Sequence, residues 1–148
     1  MSEEGDVFYN IEYSGLDLAG NRYILKSKEA VNSTNNQEIV NMAYVEAVFY
    51  FKDSTTLSIE SKKGIYNNKT LDMIFKDNAK AYYEGSELLG EIIEYSNSKR
   101  FISVSNNVKI NDVRGTIEAD KLLFDLSTQK LDIEAFNDTK VNANINLK

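Results

Sequence analysis

The 148-residue sequence contains no histidine, cysteine, tryptophan or proline. Without cysteine or histidine the chain has no disulfide, no thiolate or Ser-His-Asp nucleophile, and no zinc site of the usual thiolate or imidazole kind. No run of about 18 apolar residues is present, and the first residues lack the basic and apolar regions of a signal peptide. We therefore expect the chain as given to be soluble.

Positive charge is also scarce. Lys and Arg number 17 against 23 Asp and Glu, which gives a net charge of −6. An acidic chain is repelled by a phosphate backbone, so we expect no nucleic-acid partner. There is no glycine-rich phosphate loop, EF-hand loop or nucleophile elbow. The carboxylates alternate with Lys and Asn as on a solvated strand face, so we predict no catalytic residue, no metal and no cofactor.

Hydrophobic residues, 42% of the chain, alternate with polar ones, as they do in half-buried strands. In the first such segment Val7, Tyr9, Ile11 and Tyr13 fall on one face, and residues 57–61 and 141–147 alternate in the same way. Short polar turns are predicted at 19–21, 52–54, 67–70, 96–99 and 127–130. Residues 28–46 include an Asn-rich stretch, and we interpret them as a long connection followed by a strand from about Met42 to Lys52.

A 29-residue repeat relates three segments of the chain. Each unit has an apolar residue, a small residue two positions later and an aromatic residue five positions after that, and the third unit is longer at its turn. A period of this length with two strands per unit indicates stacked hairpin-like layers, with crowding at the small residue. The three columns are Ile59, Leu88 and Ile117; Ser61, Gly90 and Ala119; and Tyr66, Tyr95 and Phe124, and a fainter column pairs Asn78 with Asn107.

The order and spacing of several segments resemble those of the periplasmic domain of the LptC family of lipopolysaccharide-export proteins, within the LptA/OstA-like group. Residues 15–30 are similar to that family's first hairpin, and residues 57–66 to a strand that runs into a glycine and an aromatic residue. Asn107-Val108 and residues 131–133 stand where the family has return strands. The resemblance implies an all-β fold: a single twisted β-jellyroll of stacked antiparallel strands with an apolar interior trough, forming one domain over residues 1–148. We expect the family's N-terminal membrane anchor to lie outside this chain.

The resemblance also implies a function without catalysis. Such a protein receives lipopolysaccharide from the inner-membrane ABC transporter and passes it to a periplasmic bridge protein, and it is anchored in the inner membrane and exposed to the periplasm. The acyl chains would lie in the trough and the phosphorylated sugars outside. The predicted interior, lipid-binding residues are Tyr23, Leu25, Leu57, Ile59, Tyr66, Met73, Phe75, Leu88, Ile93, Tyr95, Ile102, Val104, Ile117, Leu122, Phe124 and Ile133.

The two terminal strands form a second candidate site, because neither carries the charge or proline that protects an exposed sheet edge. Such edges favour pairing with a strand of another protein, although the two strands could instead pair with each other or lie beneath a loop. By resemblance, the N-terminal edge would meet the transporter's jellyroll and the C-terminal edge an LptA-like bridge protein. The edge residues are Val7, Tyr9, Ile11, Val141, Ala143, Ile145 and Leu147.

Other functions remain open from the sequence. The chain could be a soluble LptA-type bridge or lipid chaperone, which needs no anchor. It could also be a carbohydrate-binding or structural β-sandwich with a closed core, since a lipid trough and an ordinary core give the same alternation. An enzyme would need a carboxylate pair in a cleft.

Overall fold

Nine antiparallel strands, paired in the order in which they occur along the chain, build the fold. The computed structural model describes residues 6–134. This range contains strands and turns but no helix, and therefore none that could cross a membrane. Every strand pairs with its predecessor, which makes one curled, open sheet. The strands are β1 (Val7–Leu16), β2 (Arg22–Asn32), β3 (Ile39–Tyr50), β4 (Thr56–Asn67), β5 (Met73–Tyr83), β6 (Ser86–Ser96), β7 (Phe101–Asp112), β8 (Gly115–Asp125) and β9 (Leu131–Glu134).

This architecture confirms the predicted all-β, jellyroll-like class. The five predicted turns lie at strand junctions, although Asn67 and Ser96 are still the last residues of β4 and β6. The predicted strand from about Met42 to Lys52 is present as β3, but the predicted long connection before it is wrong, because β2 continues to Asn32 and β3 begins at Ile39. Ala30 pairs with both Phe8 and Met42, so the ladder extends well into the supposed connection. Only the Asn-rich turn at 33–38 leaves the sheet.

A line of interrupted pairing crosses seven of the eight strand pairs at mid-strand. The register shifts in the four pairs from β4 to β8, whereas in the three pairs from β1 to β4 one residue of each strand is left out of the ladder and the register is unchanged. In β4, Ser61 and Gly64 are buried, yet Lys62 and Lys63 between them are both exposed, so the alternation shifts phase there. Extra outward residues of this kind are β-bulges, which bend a strand. The outward positions on this line, which we call the seam, are Asn10, Lys28, Tyr44, Lys62, Asp77, Asn78, Glu91, Asn106, Asn107 and Asp120.

The seam explains two features of the sequence. Asn78 and Asn107, which keep the 29-residue offset, both lie on it with φ angles of 62° and 56°, a left-handed conformation that asparagine tolerates better than most residues. In β1 the ladder with β2 skips Asn10, whose φ is 54°, and Tyr9 on the far side of it faces outward with 65% of its surface exposed. Ile11, directly after Asn10, packs against the core, so the prediction of one face running through residues 7–13 is wrong.

Bending at the seam brings the two halves of the sheet face to face. Phe49 lies on one side of the seam and packs against Tyr95, which lies on the other side, with ring centroids 4.9 Å apart. Tyr13 and Tyr66 are related in the same way, also at 4.9 Å. Tilted contacts at these distances are favourable for aromatic pairs. The interior is therefore the space between two halves of one sheet.

Crowding at the small-residue column appears clearly at Gly90. A Cβ atom there would collide with Val104 Cγ1 and would lie 3.2 Å from the carbonyl oxygen of Ser105. The other two members of the column, Ser61 and Ala119, are buried. The structure thus supports the steric reason proposed for this column.

Gly90→Ala is expected to lower the free energy of unfolding by about 1–3 kcal/mol, because the added methyl group overpacks the interior. Urea titration followed by circular dichroism measures the loss. In Gly90→Ala/Val104→Ala the colliding group is absent, so the double variant should lose less than the two single variants together. Strictly additive losses would mean that the methyl group does not meet Val104.

Candidate functional site

The interior contains all sixteen residues predicted to face it. Fifteen are at most 3% exposed, and Ile133 on the short strand β9 is partly buried against the same cluster. The prediction missed further members of this interior, which include Phe49, Phe51, Tyr83, Ile110 and Leu126. The alternation from Val45 through Ala47 would have identified Phe49 on β3 and Phe51 directly after it.

Tyrosines give one side of the interior a polar border. The hydroxyls of Tyr23 and Tyr66 are 3.0 Å apart and hydrogen-bonded, and the Tyr95 hydroxyl donates to Asn97 Oδ1 over 2.8 Å. Burial raises the pKa of Tyr66 and of Tyr95 far above the ordinary value; the bond to Tyr23 adds to the shift at Tyr66, and Asp17 adds to it at Tyr95. These phenols are therefore neutral at physiological pH.

The polar border is where opposite edges of the sheet meet. Because the strands alternate in direction, the β1–β2 and β3–β4 turns lie at one edge and the β6–β7 and β8–β9 turns at the other. Side chains and backbone groups join these edges across the interior, and we call the joining residues the clasp. They are Leu18, Asn21, Asp53, Asn97, Leu126 and Gln129.

Asn97 has the most contacts in the clasp. It is 8% exposed, and its Oδ1 accepts the backbone N–H of Leu18 over 3.0 Å as well as the Tyr95 hydroxyl. Its Nδ2 donates to the carbonyl oxygen of Thr70 over 3.1 Å, and its backbone N–H donates to Asp72 Oδ1. One asparagine thus holds the β1–β2, β4–β5 and β6–β7 turns together.

Gln129 makes a second, more exposed joint. Its Nε2 lies 3.1 Å from Asp53 Oδ2, 3.2 Å from Thr55 Oγ1 and 2.9 Å from the Tyr83 hydroxyl. The pKa of Asp53 is lowered, chiefly by hydrogen bonds from Thr55 and to a smaller degree by Gln129. Nearby, Asn21 Nδ2 reaches the Leu126 carbonyl oxygen over 3.4 Å. All of these joints are hydrogen bonds between turns or strand ends.

The outside of the seam carries a groove of about 860 Å³. Exposed Tyr44 lies in it with the Lys28 ammonium 5.3 Å from its ring centroid. The charges around the groove nearly cancel, so it has no strong preference for an ion of either sign. Its charged residues are Lys26, Lys28, Lys62, Lys80, Glu12, Glu46 and Glu60.

The N-terminal edge strand exposes apolar side chains. Val7 is 45% exposed and Phe8 48% exposed, and among residues 6–134 only β2 pairs with β1. Within the described range, one side of β1 therefore has no strand paired to it. The four predicted C-terminal edge residues, Val141, Ala143, Ile145 and Leu147, lie outside the described residues.

Comparison with known families gives one match. A family model described as "Lipopolysaccharide-assembly, LptC-related" matches residues 7–138, which is most of the chain and confirms the resemblance. No curated protein matches the chain.

Proposed function

The chain belongs to the lipopolysaccharide-assembly, LptC-related family, and from this premise we propose that it is a non-enzymatic conduit for lipopolysaccharide. The family indicates a part in lipopolysaccharide transport. In the proposal, residues 1–148 form one jellyroll domain that lies in the periplasm, attached to the inner membrane in the full-length protein. It receives the lipid from the inner-membrane ABC transporter and passes it to a bridge protein.

The observation that carries the proposal is the continuous apolar interior from β1 to β9. Buried residues from all of β2 to β8 contribute to it, so acyl chains could contact apolar side chains along the whole stack of strands. Each CH₂ group of an acyl chain that is removed from water contributes about 0.8 kcal/mol to the free energy of binding. The sugars would remain outside.

The N-terminal edge of the sheet supports a strand-pairing partner there. At β1, exposed Val7 and Phe8 suit a hydrophobic strand-to-strand contact, and unpaired backbone groups there can extend a sheet from one protein into the next. We propose the transporter's jellyroll as the partner at this edge. An LptA-like bridge protein is the proposed partner at residues 141–147.

One observation favours the alternative of a structural sandwich. The interior is filled by its own side chains, with Tyr83 and Phe124 in contact at 4.9 Å between ring centroids. A lipid would have to displace these contacts. A direct test of lipid contact therefore separates the two functions.

Photocrosslinking at two adjacent positions supplies that test. Phe75 is 1% exposed, whereas its neighbour Lys76 is exposed on the outer face. With a photoreactive benzoylphenylalanine in place of Phe75, we expect crosslinks to radiolabelled rough lipopolysaccharide at least tenfold above those from the same residue in place of Lys76. Equal labelling at both positions, or none at Phe75 in a folded protein, would support the closed sandwich instead.

A further inference from the structure

We propose that the groove of about 860 Å³ on the outside of the seam, here called the seam groove, binds a neutral oligosaccharide. In this proposal the ring of Tyr44 stacks on a sugar ring, and the carboxylates of Glu46 and Glu60 accept hydrogen bonds from sugar hydroxyls. The site lies on the opposite face of the sheet from the apolar interior. It goes beyond the proposed conduit function, since it neither needs lipid nor excludes it.

The first argument is the shape and charge of the seam groove. Its lining residues lie on the five strands from β1 to β5, with two or three on each strand. At about 4.8 Å between neighbouring strands, this distance is about 19 Å, which suits an extended chain of several units. Four lysines and three glutamates line the groove, so their charges nearly cancel and a neutral ligand is favoured over an ion.

The second argument is a row of charged residues that stand opposite one another without pairing. Lys26 is the register partner of Glu12 on one side and of Glu46 on the other, and Glu60 is the register partner of Lys80. In the part of the chain that the structure describes, no ion pair forms among these five residues. Their carboxylates and ammonium groups therefore remain available to a ligand in the groove.

Two carboxylates meet within this row. Glu46 and Glu60 are direct register partners, and both are exposed. Like charges in directly opposite positions destabilise a sheet, so the pair costs stability and gives the fold nothing in return. Ionised carboxylates are acceptors only. Neighbouring hydroxyls of a sugar are donors that can bind both carboxylates without adding a charge.

The third argument is an exposed aromatic ring in a strained position. Tyr44 is 56% exposed and has a left-handed φ of 56°. That conformation is an outlier for a bulky residue, and backbone strain of this kind occurs preferentially at ligand sites. The ammonium group of Lys28 lies 5.3 Å from the ring centroid, and Asn10 and Asn78 also line the groove. A ring beside amide and ammonium donors suits a sugar, which has a flat apolar face and polar groups at its rim.

Titration of the ¹⁵N-labelled protein with maltohexaose, cellohexaose and N-acetylchitohexaose tests the site, with backbone amide shifts followed by NMR. At millimolar concentration we expect at least one of these neutral hexasaccharides to saturate the protein, with the largest shifts at the residues that line the seam groove. Tyr44→Ala should weaken binding at least tenfold, whereas Tyr44→Phe keeps the ring and should stay within threefold of the parent. The matched control is Tyr82→Ala, because Tyr82 is 39% exposed on β5 but does not line the groove.

Glu46→Gln separates a role in binding from a role in the fold. The substitution removes the like-charge pair with Glu60, so without sugar the variant should unfold at the same urea concentration as the parent or a higher one. Its affinity for the sugar should nevertheless fall at least fivefold, because a charge-assisted acceptor is lost. A fall in affinity with no loss of stability assigns Glu46 to the ligand.

The saccharide site is overturned if no hexasaccharide shifts the groove residues, or if Tyr44→Ala binds as the parent does. Shifts at the groove with an extended peptide of mixed charge, and with none of the sugars, would also overturn it. None of these results bears on the lipid conduit, which crosslinking at Phe75 tests independently.

Discussion

Replacing Asn97 with alanine is expected to lower the free energy of unfolding by about 3 kcal/mol, because three side-chain hydrogen bonds disappear and a buried phenol loses its acceptor. The lost partners are the Leu18 N–H, the Tyr95 hydroxyl and the Thr70 carbonyl oxygen. For a chain of this length, a loss of that size corresponds to a fall in Tm of roughly 6–12 °C. Thermal and urea unfolding followed by circular dichroism measure it.

Asn68→Ala is the matched control for this prediction. Asn68 is an exposed asparagine in the β4–β5 turn, and its backbone N–H, which the substitution keeps, donates to the Glu38 carbonyl oxygen. The free energy of unfolding of Asn68→Ala should stay within about 0.5 kcal/mol of the parent protein's value. Adding Tyr95→Phe to Asn97→Ala should recover part of the loss, since the double variant has no buried hydroxyl without an acceptor. If Asn97→Ala lowers the free energy of unfolding no more than Asn68→Ala does, Asn97 does not hold the clasp.

The interior could be predicted from the sequence because each strand half keeps strict alternation. Ile59, Leu88 and Ile117 occupy equivalent inward positions in successive strand pairs, as their 29-residue spacing indicates. This depends only on local geometry, in which every second residue of a strand faces the same side. Ile133 lies on β9, a strand of four residues, and is only partly buried against the core.

The seam left a signal that alternation alone misses. Ile59 and Tyr66 are seven positions apart and Leu88 and Ile93 five, both odd numbers, yet both pairs face inward. Within one strand this requires an extra residue, and so a bulge between them. Asn78 on β5 and Asn107 on β7 mark the seam on the neighbouring strands, because they recur at the 29-residue offset and asparagine tolerates a left-handed backbone.

The clasp left no comparable signal. Leu18 and Asn97 are 79 residues apart, and Asn21 and Leu126 are 105 apart. Asn97 and Asn21 bind backbone groups of Leu18 and Leu126, and a backbone group is the same for every residue type. Asparagine is also common in exposed turns, so its presence in these turns does not predict a contact across the interior. Only the folding of the sheet at the seam brings these turns together.

Above pH 10 the free energy of unfolding is expected to fall with rising pH by at most about 2.7 kcal/mol per pH unit, counting Tyr66 and Tyr95 together. Burial raises the pKa of both phenols in the folded protein, whereas in the unfolded chain they ionise near their ordinary value of 10.0. Above that pH the folded state holds more protons than the unfolded state, so hydroxide favours unfolding. Below it both states are protonated and the two phenols contribute no pH dependence.

Urea titrations from pH 8 to 12 measure this slope, and tyrosinate absorbance follows ionisation without interference because the chain has no tryptophan. Tyr66→Phe/Tyr95→Phe should be less stable at pH 8, since the Tyr23 hydroxyl loses its partner, but should show a shallower decline above pH 10. Gly90→Ala is the control, because it lowers stability while it keeps both phenols and therefore the parent's slope. Equal slopes in all three proteins would show that the two phenols meet water in the folded state. The interior would then be open at the clasp even without lipid, and the hydroxyl border would be wet rather than closed.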